Sequence, residues 1–148
     1  MSENERLIHA DIKDVFAILT DGWSYAGWVV GASRVRDVEA GFPEPGRSIH
    51  HSVGAWPLLI DDTTRALEYE PLRRLLLRVR VWPVGEGEVE FVATETTEGC
   101  RLVMREHTTS GPVALMPSAA TDVMLRARNA ETLERLALLA EKQPPTKT

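Results

Sequence analysis

In this chain of 148 residues, His51 and Glu106 have the side-chain types to move a proton, and both fall on faces that the apolar pattern turns inward. A histidine and a carboxylate act as general base and acid when both lie within hydrogen-bond reach of one ligand. Arg126 and Asn129 fall among the apolar positions of a late helical pattern. A guanidinium there needs an anionic or hydrogen-bonding partner, because unpaired burial costs several kcal/mol. Glu106 is the natural partner, and an Arg126–Glu106 pair would fix the polar end of an otherwise apolar ligand. Each residue also has a plain structural reading. Arg126 can pack its stem and send its head to water, His51 can be a satisfied histidine under a sheet, and Asn129 can serve the backbone.

Other polar groups point away from chemistry. His50 and His51 are adjacent on a strand pattern, so their side chains leave opposite faces and cannot chelate one ion. His9 and His107 lie on other strands with no carboxylate at a ligand spacing, so no metal is expected. Asp61-Asp62 diverges in the same way and is not a carboxylate dyad. Ser110 lacks a nucleophile-elbow pattern, and Cys100, the single cysteine, leaves no internal disulfide and no thiolate cluster.

The elements that position these residues begin with a short strand over 5–9. Asp11 caps a helix over 12–20 with Val15, Phe16 and Leu19 as its stripe. A second short helix runs from Trp23 to Val29, and a strand over 32–38 leads to the Gly41–Gly46 turn. From there the period is two. Strand 47–55 sets Ile49, His51, Val53 and Ala55 on one face. In strand 58–69, Ile60 and the pair Leu67 and Tyr69 have opposite parity, which calls for a bulge. Strand 74–82 turns Leu75, Leu77, Val79 and Val81 inward and Arg78, Arg80 and Trp82 outward. Strand 88–96 brings in Val89, Phe91 and Ala93. Strand 100–109 brings in Leu102, Met104, Glu106 and Thr108. After Gly111-Pro112 a helix over 118–141, about 36 Å long, carries a stripe of Val123, Ala130, Leu133, Leu136, Ala137 and Ala140. Glu131, Arg135 and Arg128 are expected opposite that stripe.

This order, β-α-α-β6-α, is an α+β pattern in which a curved antiparallel sheet of six or seven strands wraps a long C-terminal helix. One domain over 1–142 and a disordered tail over 143–148 follow, the tail being Pro144-Pro145-Thr-Lys-Thr at its end. A formal charge of −5 argues against a nucleic-acid partner. No run approaches the ~20 apolar residues of a membrane span, no signal-peptide core follows Met1–Arg6, and a lone cysteine suits a reducing cytoplasm. An outward Trp82 beside Arg80 is a candidate homodimer contact.

The helix exit Trp28-Val-Val-Gly31, the turn Phe42-Pro-Glu-Pro-Gly46, and Asp62-Thr-Thr-Arg65 before Glu70-Pro71 carry a family likeness. Together with Thr109-Ser-Gly-Pro112 and Arg126-Ala-Arg-Asn-Ala-Glu-Thr-Leu133, they make residues 5–141 resemble the START-related SRPBCC superfamily, in particular bacterial members of polyketide cyclase/dehydrase type. The resemblance implies a helix-grip fold with a cavity between sheet and helix, and no invariant catalytic set to transfer. The Rieske cluster found beside this fold in ring hydroxylases needs cysteine and histidine pairs that this chain lacks, and no cofactor is expected. The expected cavity is bounded by Trp28, His51, Leu77, Val79, Phe91 and Met104, with Glu106, Arg126 and Asn129 at its polar end. The alanines of the last helix are expected to leave the space, and Trp28 is expected at its mouth. Three functions remain open at this point. They are binding of a small apolar, aromatic or amphipathic ligand, a polyketide cyclase/dehydrase-type enzyme acting in the same cavity, and a protein–protein module with a filled cavity.

Overall fold

A computed structural model describes residues 2–53, 60–81, 85–115 and 117–142. The elements in chain order are β1 (Ser2–Ile8), α1 (Ile12–Leu19), a 3-10 turn (Gly22–Ser24), α2 (Tyr25–Trp28), β2 (Ala32–Val38), β3 (Ser48–Val53), β4 (Ile60–Glu70), β5 (Arg74–Val81), β6 (Gly85–Thr96), β7 (Gly99–Ser110), a second 3-10 turn (Pro112–Leu115) and α3 (Ser118–Lys142). All seven strands join one antiparallel sheet in the order β1-β7-β6-β5-β4-β3-β2. Five of its six neighbouring pairs follow the chain; β1 alone crosses to pair with β7, Ser2 opposite Glu106 and Ile8 opposite Cys100.

Local chemistry starts and stops these elements as the sequence requires. Asp11 accepts a hydrogen bond from the Lys13 backbone N–H at 2.9 Å and caps α1. Asp21 does the same for Trp23 at 3.1 Å, so the expected second helix begins as a 3-10 turn and becomes α-helical only at Tyr25. The expected bulge in β4 lies between Ala66 and Glu68, where the pairing with β5 slips by one residue. Thr64 and Ala66 are buried before it, and Tyr69 stands opposite Leu75 after it. The slip carries the inward face from even to odd positions.

The concave face and the helices share one core. Ile8, Val15, Leu19, Trp28, Ile49, Leu75, Leu102 and Leu136 are fully enclosed. In β5, Leu75 and Leu77 point in while Arg78 and Arg80 are exposed. The convex face is held by charge. Glu68 pairs with Arg74, Arg74 Nε donates to Glu90 at 2.6 Å, and Arg105 donates to Glu90 at 3.1 Å and to Glu3 at 2.9 Å. This ladder crosses β4, β5, β6, β7 and β1, with opposite charges at neighbouring cross-strand positions.

The long helix α3 packs along β1 and against α1 and α2. Its inner face differs from the expected stripe in its first half. Leu133, Leu136, Ala137 and Ala140 are buried, but Val123 is 70% exposed and Ala130 is exposed. Leu125, Asn129 and Thr132 take the inward positions instead. The first half of the inner face is therefore partly polar, and a search for apolar residues there selects the wrong side. The expectations for Ala55, Trp82 and the 143–148 tail lie outside the described residues. Among those described, no helix is long and apolar enough to cross a membrane.

Candidate functional site

Between the concave sheet and α3 lies a cavity of about 250 Å³. A single water needs only ~10–15 Å³ by the same measure, so the space is suited to a small organic molecule. Each strand from β3 to β7 contributes one or two inward side chains to the wall. These are His51, Thr64, Leu77, Val79, Val89, Phe91, Met104 and Glu106. The α2 exit and the start of β2 add Tyr25, Trp28 and the Val29–Ala32 segment, and α3 adds Arg128, Asn129 and Thr132. Strand alternation accounts for the set, since Leu77 and Val79, Val89 and Phe91, and Met104 and Glu106 are each two residues apart.

Of the expected residues, Trp28, His51, Leu77, Val79, Phe91, Met104, Glu106 and Asn129 are brought together around this space. Arg126 is not. Its side chain is exposed, and its backbone carbonyl accepts from Asn4 Nδ2 at 3.0 Å on the edge strand β1. Among the described residues β1 is the edge strand, with none beyond it to cover Arg126, so the head goes to water. The partner of Glu106 is Arg128, which the apolar pattern assigns to the opposite face. The space also does not come from the alanines. Ala137 and Ala140 are core residues away from the cavity wall, and Ala130 faces out.

The polar groups form two ends. At the first, Arg128 Nη2 donates to both Glu106 oxygens at 2.5 Å, and Asn129 Nδ2 donates to Glu106 Oε2 at 2.8 Å. Asn129 is fully buried and also reaches Ser2 Oγ at 3.4 Å, while Arg128 Nε donates to Asn129 Oδ1 at 3.4 Å. The β1–β7 register places Ser2 directly beside Glu106. Thr132 accepts from the Val30 backbone N–H at 3.3 Å and ties α3 to the α2 exit. Ser2, Thr64, Arg128 and Thr132 were not singled out by the sequence pattern. For Arg128 a signal was present, since it precedes Thr132 by one helical turn and its long stem can swing inward.

At the second end, His51 and Thr64 share a hydrogen bond, Nε2 to Oγ1 at 2.8 Å, across the β3–β4 pair. His51 Nδ1 is enclosed with no hydrogen-bond partner among the described residues. Burial pushes the imidazole below its ordinary value of 6.5; the nearby Asp62 opposes this, and Arg36 and His50 add to it. His51 is thus a neutral ring near neutral pH. His50 faces the other way and meets Glu39 Oε2 at 3.0 Å, as strand alternation requires. Four strand spacings, about 19 Å along the sheet, separate His51 on β3 from Glu106 on β7. The two face a shared space and do not form a direct acid–base pair.

The wall between the ends is apolar and rests on aromatic packing. Trp28 is fully buried, lies edge-on to Tyr25 at 4.7 Å and to Phe91 at 5.9 Å between ring centres, and donates to Ser24 Oγ at 3.0 Å. It is a wall of the cavity and not a gate at its mouth. Tyr25 donates to the Leu19 carbonyl at 3.1 Å, and burial raises its phenol well above the ordinary range.

A family model described as polyketide cyclase / dehydrase and lipid transport matches residues 2–141. The chain belongs to that family. The helix-grip architecture of the polyketide cyclase / dehydrase and lipid transport family recurs in solved structures of low identity. Protein CV1439 from Chromobacterium violaceum is 19% identical, with a TM-score of 0.71 and coverage of 95% of this chain and 97% of that one. The di-domain ARO/CYC StfQ from the steffimycin biosynthetic pathway is 15% identical, with a TM-score of 0.73. That match covers 95% of this chain and 50% of StfQ. DynU16, a putative protein in the dynemicin biosynthetic locus, is 21% identical, with a TM-score of 0.68 over 97% of this chain and 48% of that one. No curated protein matches the sequence.

Proposed function

We propose that this protein binds a small apolar or aromatic, amphipathic molecule of lipid or polyketide kind in the cavity between sheet and helix. The observation that carries the reading is the division of the wall. Leu77, Val79, Val89, Phe91, Met104 and Trp28 supply an apolar middle, and hydrogen-bonding groups are confined to the two ends. Such a wall favours a flat apolar body with a polar group at one or both extremities. The family to which the chain belongs and the polyketide-pathway proteins of like fold support the same ligand class. A filled protein–protein module is disfavoured by the open volume.

A second reading, a cyclase or dehydrase acting in the same cavity, is favoured by His51. A neutral, enclosed imidazole that shares Thr64 and whose Nδ1 has no partner among the described residues is equipped to accept a proton.

Native mass spectrometry of the purified protein for a retained small molecule, followed by titration with a naphthol, tests the binding reading. At ligand near 100 times Kd, stability should rise by about 2.7 kcal/mol. Val79→Trp, which fills the half-buried wall position, should abolish the rise while the protein stays folded. No response in the unaltered protein to any aromatic probe would remove the proposal. His51→Gln separates the two readings: unchanged naphthol binding with loss of turnover on a β-ketone substrate marks the enzyme, whereas no turnover by either protein marks the binder.

A further inference from the structure

At the charged end of the cavity both carboxylate oxygens are used and two donors are left over. Glu106 is 7% exposed, and its oxygens are taken by Arg128 and Asn129. Asn129 Oδ1 is taken by Arg128 Nε. What is left is Arg128 Nη1, which has no partner among the described residues, and the hydroxyl proton of Thr132, whose oxygen already accepts from Val30. Arg128 and Glu106 are the formal charges of the described lining, one of each sign.

We propose that Glu106 is a specificity residue: by neutralising Arg128 it restricts the cavity to uncharged ligands whose polar end is a hydrogen-bond acceptor, and without its charge the cavity accepts carboxylates. The inference rests on the ligand-binding reading above. A ketone oxygen needs only a donor, and Arg128 Nη1 or Thr132 supplies one. An anionic headgroup would bring a second carboxylate against one guanidinium beside an apolar wall, where like charges repel strongly. Arg128 is 38% exposed at its side chain, so removal of the Glu106 charge leaves a hydrated cation and not a stranded one.

Three probes on one bicyclic skeleton test this: tetralin, α-tetralone and the matching tetralin carboxylate, titrated calorimetrically near neutral pH into the wild type, Glu106→Gln and Arg128→Gln. In the wild type, α-tetralone should bind at least about ten-fold more tightly than the carboxylate, the scale of one hydrogen bond to a charged donor. Glu106→Gln should tighten the carboxylate by roughly ten-fold or more while tetralin moves by less than about two-fold. Arg128→Gln should weaken α-tetralone and gain no carboxylate binding. Wild-type affinity for the carboxylate equal to that for α-tetralone overturns the proposal, and so does a Glu106→Gln protein with an unchanged probe order. If Glu106→Gln does not fold by circular dichroism, the wild-type order and Arg128→Gln decide. Binding of none of the three, tetralin included, overturns the binding reading itself, whereas tight binding of all three overturns only the charge selection.

Discussion

At the scale of single residues, Arg126 and Arg128, two residues apart on α3, have opposite fates that the sequence does not separate. Arg126 stands beyond the covered part of the sheet and Arg128 grips a buried carboxylate. Arg128→Ala should cost about 1–3 kcal/mol in urea unfolding, the cost of leaving a buried acceptor unsatisfied, and Arg126→Ala should change stability by under about 0.5 kcal/mol. The reverse ranking would show that Glu106 draws its support from Arg126. His51 gives a pH signature. Its proton affinity is lowered in the fold by burial, so between the folded value and 6.5 the unfolded chain binds more protons. Stability therefore falls as pH drops from 6.5 toward that lower value, by at most about 1.4 kcal/mol per pH unit. His51→Gln lacks this contribution, so its urea midpoint should fall less steeply than that of the wild type between pH 7 and about 5. Parallel profiles would mean that His51 is as free to protonate in the fold as out of it.

At the scale of elements, regular alternation made most of the sheet legible. Leu75 to Val79, Val89 to Ala93 and Leu102 to Glu106 each keep one parity along a strand, and the parity break in β4 located the bulge near Ala66. The helix was legible in its second half, where Leu133, Leu136, Ala137 and Ala140 meet the core. It was not legible in its first half, because Arg128, Asn129 and Thr132 there face a cavity and not apolar packing. Periodicity reports what is greasy, and a polar cavity end reverses that signal. The β6–β7 turn carries a separate constraint. Gly99 has φ +150°, and a Cβ there would stand 2.2 Å from the Ile8 carbonyl oxygen, where β1 ends. Gly46, at φ +91°, has nothing within 4 Å. Gly46→Ala should therefore cost about 1 kcal/mol of backbone strain alone, and Gly99→Ala on the order of 3 kcal/mol because strain and collision add. Equal losses in urea titrations of the two variants would show that the β1 exit yields to the extra methyl.

At the scale of the whole molecule, the cavity is a property of the complete sheet and helix and of no single segment. Its wall draws on β3, β4, β5, β6 and β7, on the α2 exit and on α3, and its charged end also needs Ser2 of β1 beside Asn129. Sequence pattern gave the order of these parts but not the edge position of β1, since strand pairing across a hundred residues leaves no local mark. That pairing has a consequence for synthesis. Ser2 and Glu106 are 104 positions apart, and at 5–20 residues per second β1 waits roughly 5–20 s for its neighbour to be made. During that interval it is an unpaired strand, the kind of segment through which nascent chains associate wrongly. The Glu-Asn-Glu-Arg run from Glu3 to Arg6 then acts before there is any fold to stabilise, keeping the waiting strand in water until β7 arrives.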